Sequence, residues 1–267
     1  MENLEEENVN IKHIIIKTIA GTFGLAVVCL IILMYAVITF SPRSTIDFFD
    51  GIGERNVSYA IYQKIYEKSE NNEDLYNVLN RAINNEQYKD VEKYCLSMLD
   101  ADDEFFVAVD NATLIAVGKK NAVYMSSYKS YVKANLIRAD YKLNKVNRAK
   151  ELAVLYLNNG DANAMLEYIY EVKNDKKLDE NQKNSLINIL KDEGVIQVAN
   201  ALLSSEALDV SKVKDDFEVA VILNTRIKLN EIQYYIIKTF DEDSANQIQL
   251  EIKNMVSSLT ALVSTME

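Results

Sequence analysis

Residues 18–40 read TIAGTFGLAVVCLIILMYAVITF, twenty-three residues without a charge. As a helix this stretch would measure roughly 33 Å, enough to cross a hydrocarbon layer of about 30 Å. Ile14, Ile15 and Ile16 lengthen it on the N-terminal side across Lys17, whose ammonium can reach the headgroups, and Ser41-Pro42 stops it. The apolar core is longer than that of a cleaved signal peptide. No small-x-small cleavage pattern follows it either, since Ser41-Pro42-Arg43 comes directly after Phe40. Residues 14–40 are therefore expected to be an uncleaved signal anchor in the plasma membrane.

The flanks set the expected orientation. Lys12 and Lys17, with His13 between them, lie close to the N-terminal end, whereas Arg43 is the near cation on the other side before Asp47, Asp50 and Glu54. Cations near a span stay in the cytoplasm. The N-terminus is thus expected to be cytoplasmic and the body extracytoplasmic, with a cytoplasmic body as the alternative. Residues 1–13, with Glu2, Glu5, Glu6 and Glu7, read as an acidic mobile tail, and 41–54 as a juxtamembrane linker.

Beyond the anchor the chain reads as all-α. One Pro and seven Gly in 267 residues are too few for the turns that a β-rich chain of this length would need. Apolar residues recur at helical spacing over 44–52, 56–68, 75–83 and 88–99, separated by polar turns such as Asn71-Asn72-Glu73-Asp74 and Asn84-Asn85. Residues 105–117 fit a helix on context, but Phe-Phe-Val-Ala-Val, Asp110-Asn111 and Leu-Ile-Ala-Val also fit a β-hairpin. Further helices are expected over 121–143, 144–157, from a cap at Asp161 to 172, from Asp179, over 195–203 after a break at Gly194, and over 211–240 and 243–266. The result is an α-helical hairpin array over 55–205, followed by a long C-terminal helical hairpin over 206–267.

Within 75–99, Leu75, Val78, Ala82, Tyr88, Val91, Cys95 and Met98 lie near the packing positions of a helical repeat, and within 136–157 Ala149 and Ala153 do the same. These two segments resemble tetratricopeptide repeats. Val91 stands where that family favours Ala, the closing Pro is missing, and Val91 and Ala149 are 58 residues apart, not a multiple of about 34. The resemblance implies a concave surface for proteins or peptides, without catalysis.

Two late segments carry their own pattern. Ala245, Ile248, Ile252, Met255, Leu259, Leu262 and Met266 alternate spacings of three and four, a coiled-coil seam over about three heptads. Val256 and Val263 widen that stripe. The preceding segment is apolar nearly all round, through Val219 to Leu223, Ile227, Leu229, Ile232 and Tyr234 to Ile237, so it needs burial on several sides. The last helix is expected to fold back on it.

Residue inventory excludes most site chemistry. A single His (His13) leaves no Ser-His-Asp or Cys-His arrangement and no His-based metal site, and two Cys leave no zinc cluster. Phosphate-binding, dinucleotide-binding and calcium-loop motifs are missing, and there is no Trp to stack on a sugar. No cofactor is expected. Cys29 lies in the span and Cys95 at an apolar helical position, so the body has no disulfide; that, with abundant Asn, Ile and Lys, fits an AT-rich bacterial source. The net charge is −11, and 36 acidic against 27 basic residues after Phe40 leave the body at −9. Nucleic acid and anionic polymers would be repelled, which leaves a protein partner, basic if it meets the acidic surface.

Candidate contact residues are few. Ala20, Gly21 and Gly24 could seat a second transmembrane helix, or simply be the small residues common in spans. Tyr59, Tyr62 and Tyr66, and Tyr124, Tyr128 and Tyr131, could line a partner groove or pack in the core. Acidic runs at 102–104, 215–216 and 241–243 are expected as helix N-caps. The sequence reads as a single-pass, membrane-anchored helical scaffold or adaptor, a subunit or assembly factor of an envelope complex. Two other classes compete: an enzyme using carboxylates alone, which needs two acids converging in a pocket with a raised pKa, and a sensor or stalk that oligomerises through anchor and last helix.

Overall fold

The computed structural model describes residues 2–100 and 128–265, with backbone alone at 2–15 and 38. The described residues form twelve α-helices, two 3-10 turns and no strand. The ambiguous stretch 105–117 lies outside them, as do 102–104 and Tyr124. The chain divides into two units, Met1–Asp74 and Leu75–Glu267.

In the first unit α1 spans Glu2–Phe40, so the acidic segment continues the helix of the apolar stretch rather than standing apart as a separate tail. Within α1, Ile16–Val37 is long and apolar enough to cross a membrane, and none of it is buried against the rest of the protein. The hydroxyls of Thr22 and Thr39 donate to the carbonyls of Thr18 and Tyr35, so neither side chain leaves an unpaired donor on that surface. Pro42 then opens α2, Pro42–Gly51, at the first helical position, where a missing N–H costs nothing. Ile46 and Phe49 of α2 pack on Ile61, Val57, Tyr62 and Ile65 of α3, Arg55–Ser69. The expected linker is thus a helix with its own small core.

The second unit begins within α4, Asn72–Asn84, and includes α5, Tyr88–Leu99. It continues with α6 (Tyr128–Lys142), α7 (Val146–Asn158), α8 (Ala162–Asn174), α9 (Glu180–Asp192) and α10 (Val195–Leu203). The chain ends with α11 (Asp216–Ile237) and α12 (Glu242–Ser264). Here α5 packs on α6, α6 on α7 and α8, and α11 touches α8, α9, α10, α12 and both 3-10 turns. The main core lies between α6 and α11, with Leu157, Met165, Ile169, Leu190, Leu229 and Ile232 closed to solvent. A smaller cluster joins Ala220 and Ile227 of α11 to Leu259 and Val263 of α12, with Ile252, Met255 and Leu262 against it. Most of the heptad seam is therefore spent inside the chain, as expected, while Val256 stays exposed.

Four helix ends close in the same way. After α2, Glu54 N–H donates to the Phe49 carbonyl (2.8 Å) and Gly53 N–H to that of Asp50 (3.1 Å). The same pair runs from Gln87 and Glu86 to Ala82 and Ile83, from Lys145 and Asn144 to Asp140 and Tyr141, and from Asp161 and Gly160 to Tyr156 and Leu157. This is the Schellman motif, which needs one left-handed residue per turn: Gly53, Glu86, Asn144 and Gly160, with φ of 83°, 54°, 62° and 85°. Helix starts are equally regular. Asp161, Asp179, Asp215 and Asp241 each accept a backbone N–H of the following turn, and Gln182 completes a capping box with Asp179. The acidic runs at 215–216 and 241–243 are caps, as expected. Helix α11 begins later than the expected 211 because Asp209 holds Ser211 in a 3-10 turn and Val213 is extended.

The turn geometry predicts opposite signs for two substitutions. A Cβ at Gly160 meets nothing within 4 Å, so Gly160→Ala carries only the backbone penalty and should cost about 1 kcal/mol. Glu86→Gly relieves a left-handed Glu and should gain up to about 1 kcal/mol. Denaturant unfolding of the two variants measures both.

Candidate binding recess

The tyrosines read as either groove-lining or core residues, Tyr124 apart, fall into both units. In the first, Tyr59 is buried and its hydroxyl accepts from Gln63 (2.9 Å), Tyr62 packs in the α2–α3 core, and Tyr66 is half-buried. In the second, Tyr76, Tyr128 and Tyr131 stack in series with centroids 4.8 and 5.6 Å apart, and Tyr128 donates weakly to Asn80 (3.4 Å). Tyr128 is buried between a half-buried Tyr76 and Tyr131, which is 39% exposed, so the middle of the series is closed to solvent. Burial, then Tyr76 and Tyr131, push the Tyr128 phenol well up, which keeps it neutral. Ala20, Gly21 and Gly24 are exposed, and a Cβ on either glycine would meet nothing within 4 Å.

The carboxylates that converge from different helices are Glu92 of α5 and Asp140 of α6. Arg148 of α7 bonds both, at 3.0 Å to Asp140, and Lys145 reaches Glu92 at 2.6 Å. Burial, with Glu92 adding to it, raises Asp140 against the pull of Arg148 and Lys145. Burial would also raise Glu92, but hydrogen bonds from Lys145 and Arg148 hold it below its ordinary value. Two anions and two cations thus close on one another, tying three helices together. A second set does the same for α6 and α8: Arg138 pairs with Glu167 (2.6 Å) and Lys142 with Glu171 (2.5 Å).

A recess of about 300 Å³ opens among α6, the α7–α8 turn, α8 and α11, lined by Ser130, Lys133, Asn159, Asp161, Asn163, Asn224, Thr225 and Lys228 among others. The helix ends position it. Gly160 turns the chain so that Asp161 caps α8, and the same carboxylate accepts from Ser130 Oγ (2.5 Å) and pairs with Lys133 (3.3 Å). Asn163 Nδ2 donates to Ser130 Oγ (2.6 Å), and Lys133 lies 4.9 Å from the Tyr156 ring. From the opposite wall comes Lys228, lowered by burial although Asp161 and Glu231 favour its charged form. Two ammoniums against one carboxylate leave the wall at +1, among amides and hydroxyls that can give or take hydrogen bonds. Ser130 hands its proton to a carboxylate already engaged by a helix cap and a lysine, so it acts as a positioned hydrogen-bonding group and not as an activated nucleophile.

Sequence reasoning named Asp161 as a cap and missed its companions, which lie up to 98 residues apart in the chain, from Ser130 to Lys228. One signal was legible: Lys228 stands in a largely apolar helix between Ile227 and Leu229, and a cation so placed must find a polar surround. Cys95 is fully buried and its thiol is pushed up by burial, in keeping with its expected packing role. No group of three or more His, Cys, Asp or Glu among the described residues could hold a metal ion. Comparison with known proteins gives no match by family model, by sequence or by structure, so function is read from the geometry alone.

Two substitutions separate the polar from the apolar part of this region. Asp161→Asn keeps the cap but removes the negative charge that faces Lys133 and Lys228, and should cost roughly 1–2 kcal/mol. Tyr168 is fully buried with its hydroxyl unpaired among the described residues, and burial pushes its phenol up to about 12. Tyr168→Phe should therefore be neutral or stabilising, by up to about 1 kcal/mol in thermal unfolding.

Proposed function

We propose that this protein is a single-pass, membrane-anchored helical scaffold that works by contact with another protein, as a subunit or assembly factor of a cell-envelope complex. One observation carries the reading. The carboxylates that converge between helices are consumed by Arg148, Lys145, Arg138 and Lys142, whereas the open recess is lined by hydrogen-bonding side chains held in place from beneath. A fixed, polar, weakly cationic recess on a rigid helical body suits recognition of an acidic or amide-bearing segment. Proton transfer between carboxylates would need a pair of them facing the recess, and the converging ones are ion-paired and lie outside its wall. A partner that is basic elsewhere would meet the body's excess of acidic residues, so the local contact and the overall charge are separate matters.

The anchor reading rests on the exposed apolar surface of Ile16–Val37, which would cost about 25 cal/mol per Å² to leave in water. The body is then a helical-hairpin array whose repeated Schellman turns supply the regularity behind the tetratricopeptide-like spacing. Lys12 and Lys17 against Arg43 favour a cytoplasmic N-terminus and an extracytoplasmic body.

A photo-crosslinking amino acid at Asn224, on the recess wall, should give a discrete protein adduct in native membranes, and the same group at exposed Ser257 on α12 should not. Equal labelling from both positions, or none from Asn224, would remove the recess as the contact. Protease added to intact cells should digest the body; full protection would reverse the orientation.

A further inference from the structure

A second recess, of about 310 Å³, lies between α8, α9 and α11, lined by Lys173, Glu180, Lys183, Asn184, Ile187, Tyr235, Lys238 and Thr239. In a chain of net charge −11, three lysines converge here on one carboxylate. That carboxylate, Glu180, pairs with Lys183 at 2.9 Å while remaining 81% exposed itself. Lys173 and Lys238 form no ion pair with a carboxylate within 4 Å among the described residues. Lys173 instead sits 4.0 Å from the centroid of the Tyr235 ring, and Lys238 donates to the Tyr234 hydroxyl at 3.1 Å.

The fold holds these like charges together. Lys173 is lowered by burial and then by Lys238 and Lys183, with Glu180 opposing. Lys238 is raised by its contact with Tyr234 and more weakly by Glu242, which lies outside the recess wall. Mutually repelling cations kept at one place cost stability that a bound anion would return. The charge of the wall indicates which anion. Three ammoniums and one carboxylate leave +2, so a dianion neutralises the site and a single carboxylate does not. Asn184 can add a neutral donor, while the Tyr235 ring and Ile187 offer an apolar side for the group that carries the charge. The volume is at the small end of ligand recesses, about 300–1,000 Å³.

We propose that the recess between α8, α9 and α11 binds a phosphate monoester, its dianionic head among Lys173, Lys183 and Lys238 and its organic part against Tyr235 and Ile187. The binding is reversible and involves no bond change. It is independent of the scaffold reading, because it uses another face of the body and another set of residues.

The test uses the full chain in detergent, at constant ionic strength, with inorganic phosphate, glycerol 3-phosphate, N-acetylphosphoserine amide and acetate as probes. Thermal shift and calorimetric titration should show saturable binding of the three phosphates, and the two monoesters should tighten as pH rises from about 5.5 to 7.5, because the second ionisation of a phosphate monoester lies near 6. Preference for glycerol 3-phosphate supports a small soluble ligand, and preference for the phosphoserine probe a phosphorylated side chain; either result supports the phosphate site. Lys173→Gln and Lys238→Gln should each weaken binding roughly tenfold, while Lys253→Gln on exposed α12 should leave it unchanged. If one of the two variants does not fold by circular dichroism, the other decides. Binding no tighter than acetate, absence of saturation, or an affinity in the Lys173 and Lys238 variants equal to that of the unsubstituted chain would overturn the proposal.

Discussion

Helix α11 cannot exist as a surface element. It buries Ala220, Ile222, Ile227, Leu229, Ile232 and Ile236 on faces that point in different directions, so no single partner helix could cover it. The chain meets this demand by laying α8, α9, α10 and α12 around it. A helix short of neighbours would leave several large apolar side chains in water, each worth about 1.5–3 kcal/mol. The second unit is organised around that one requirement.

Because α11 is enclosed, its polar side chains must be answered from the surrounding helices. Arg226 donates to the carbonyls of Leu203 and Leu208, satisfying groups that the end of α10 and the first 3-10 turn would otherwise leave unpaired. Gln233 donates to Asn200 of α10 (2.7 Å), and Asn230 to the carbonyl of Arg226 (2.9 Å). Lys228 is answered by the recess of Ser130, Lys133, Asp161 and Asn163. The candidate binding site is thus a consequence of burying an apolar helix that carries one lysine. Arg226 and Gln233 instead fix the neighbours of α11.

Much of the fold was legible because helices advertise themselves locally. The apolar period, the aspartates that cap and the glycines that end helices all act within a few residues, so Asp161, Asp179, Gly194 and the α11–α12 pairing could be read directly. The left-handed Glu86 could not, since nothing in a Glu side chain signals positive φ and the turn imposes it through Ala82 and Ile83. The delayed start of α11 was hidden for a similar reason, as Asp209 and Asp215 both look like caps and only the extended Val213 between them decides which one opens the helix. The site was less legible still. Ser130 and Lys228 come together only through tertiary packing, and for Tyr59 and Tyr62, whose spacing fits a groove as well as a core, only the packing shows them used as core.

The account therefore stands on α11 as the last part of the body to open. Native-state hydrogen exchange of the full chain in detergent reads this residue by residue. The amides of Leu229, Ile232 and Ile236 should exchange only through global unfolding, at the slowest rates in the protein, with the exposed middle of α12 around Val256 exchanging by smaller openings. If α11 exchanged faster than α6 or α8, the body would not be built around it, and the recess that depends on its burial would lose its physical basis.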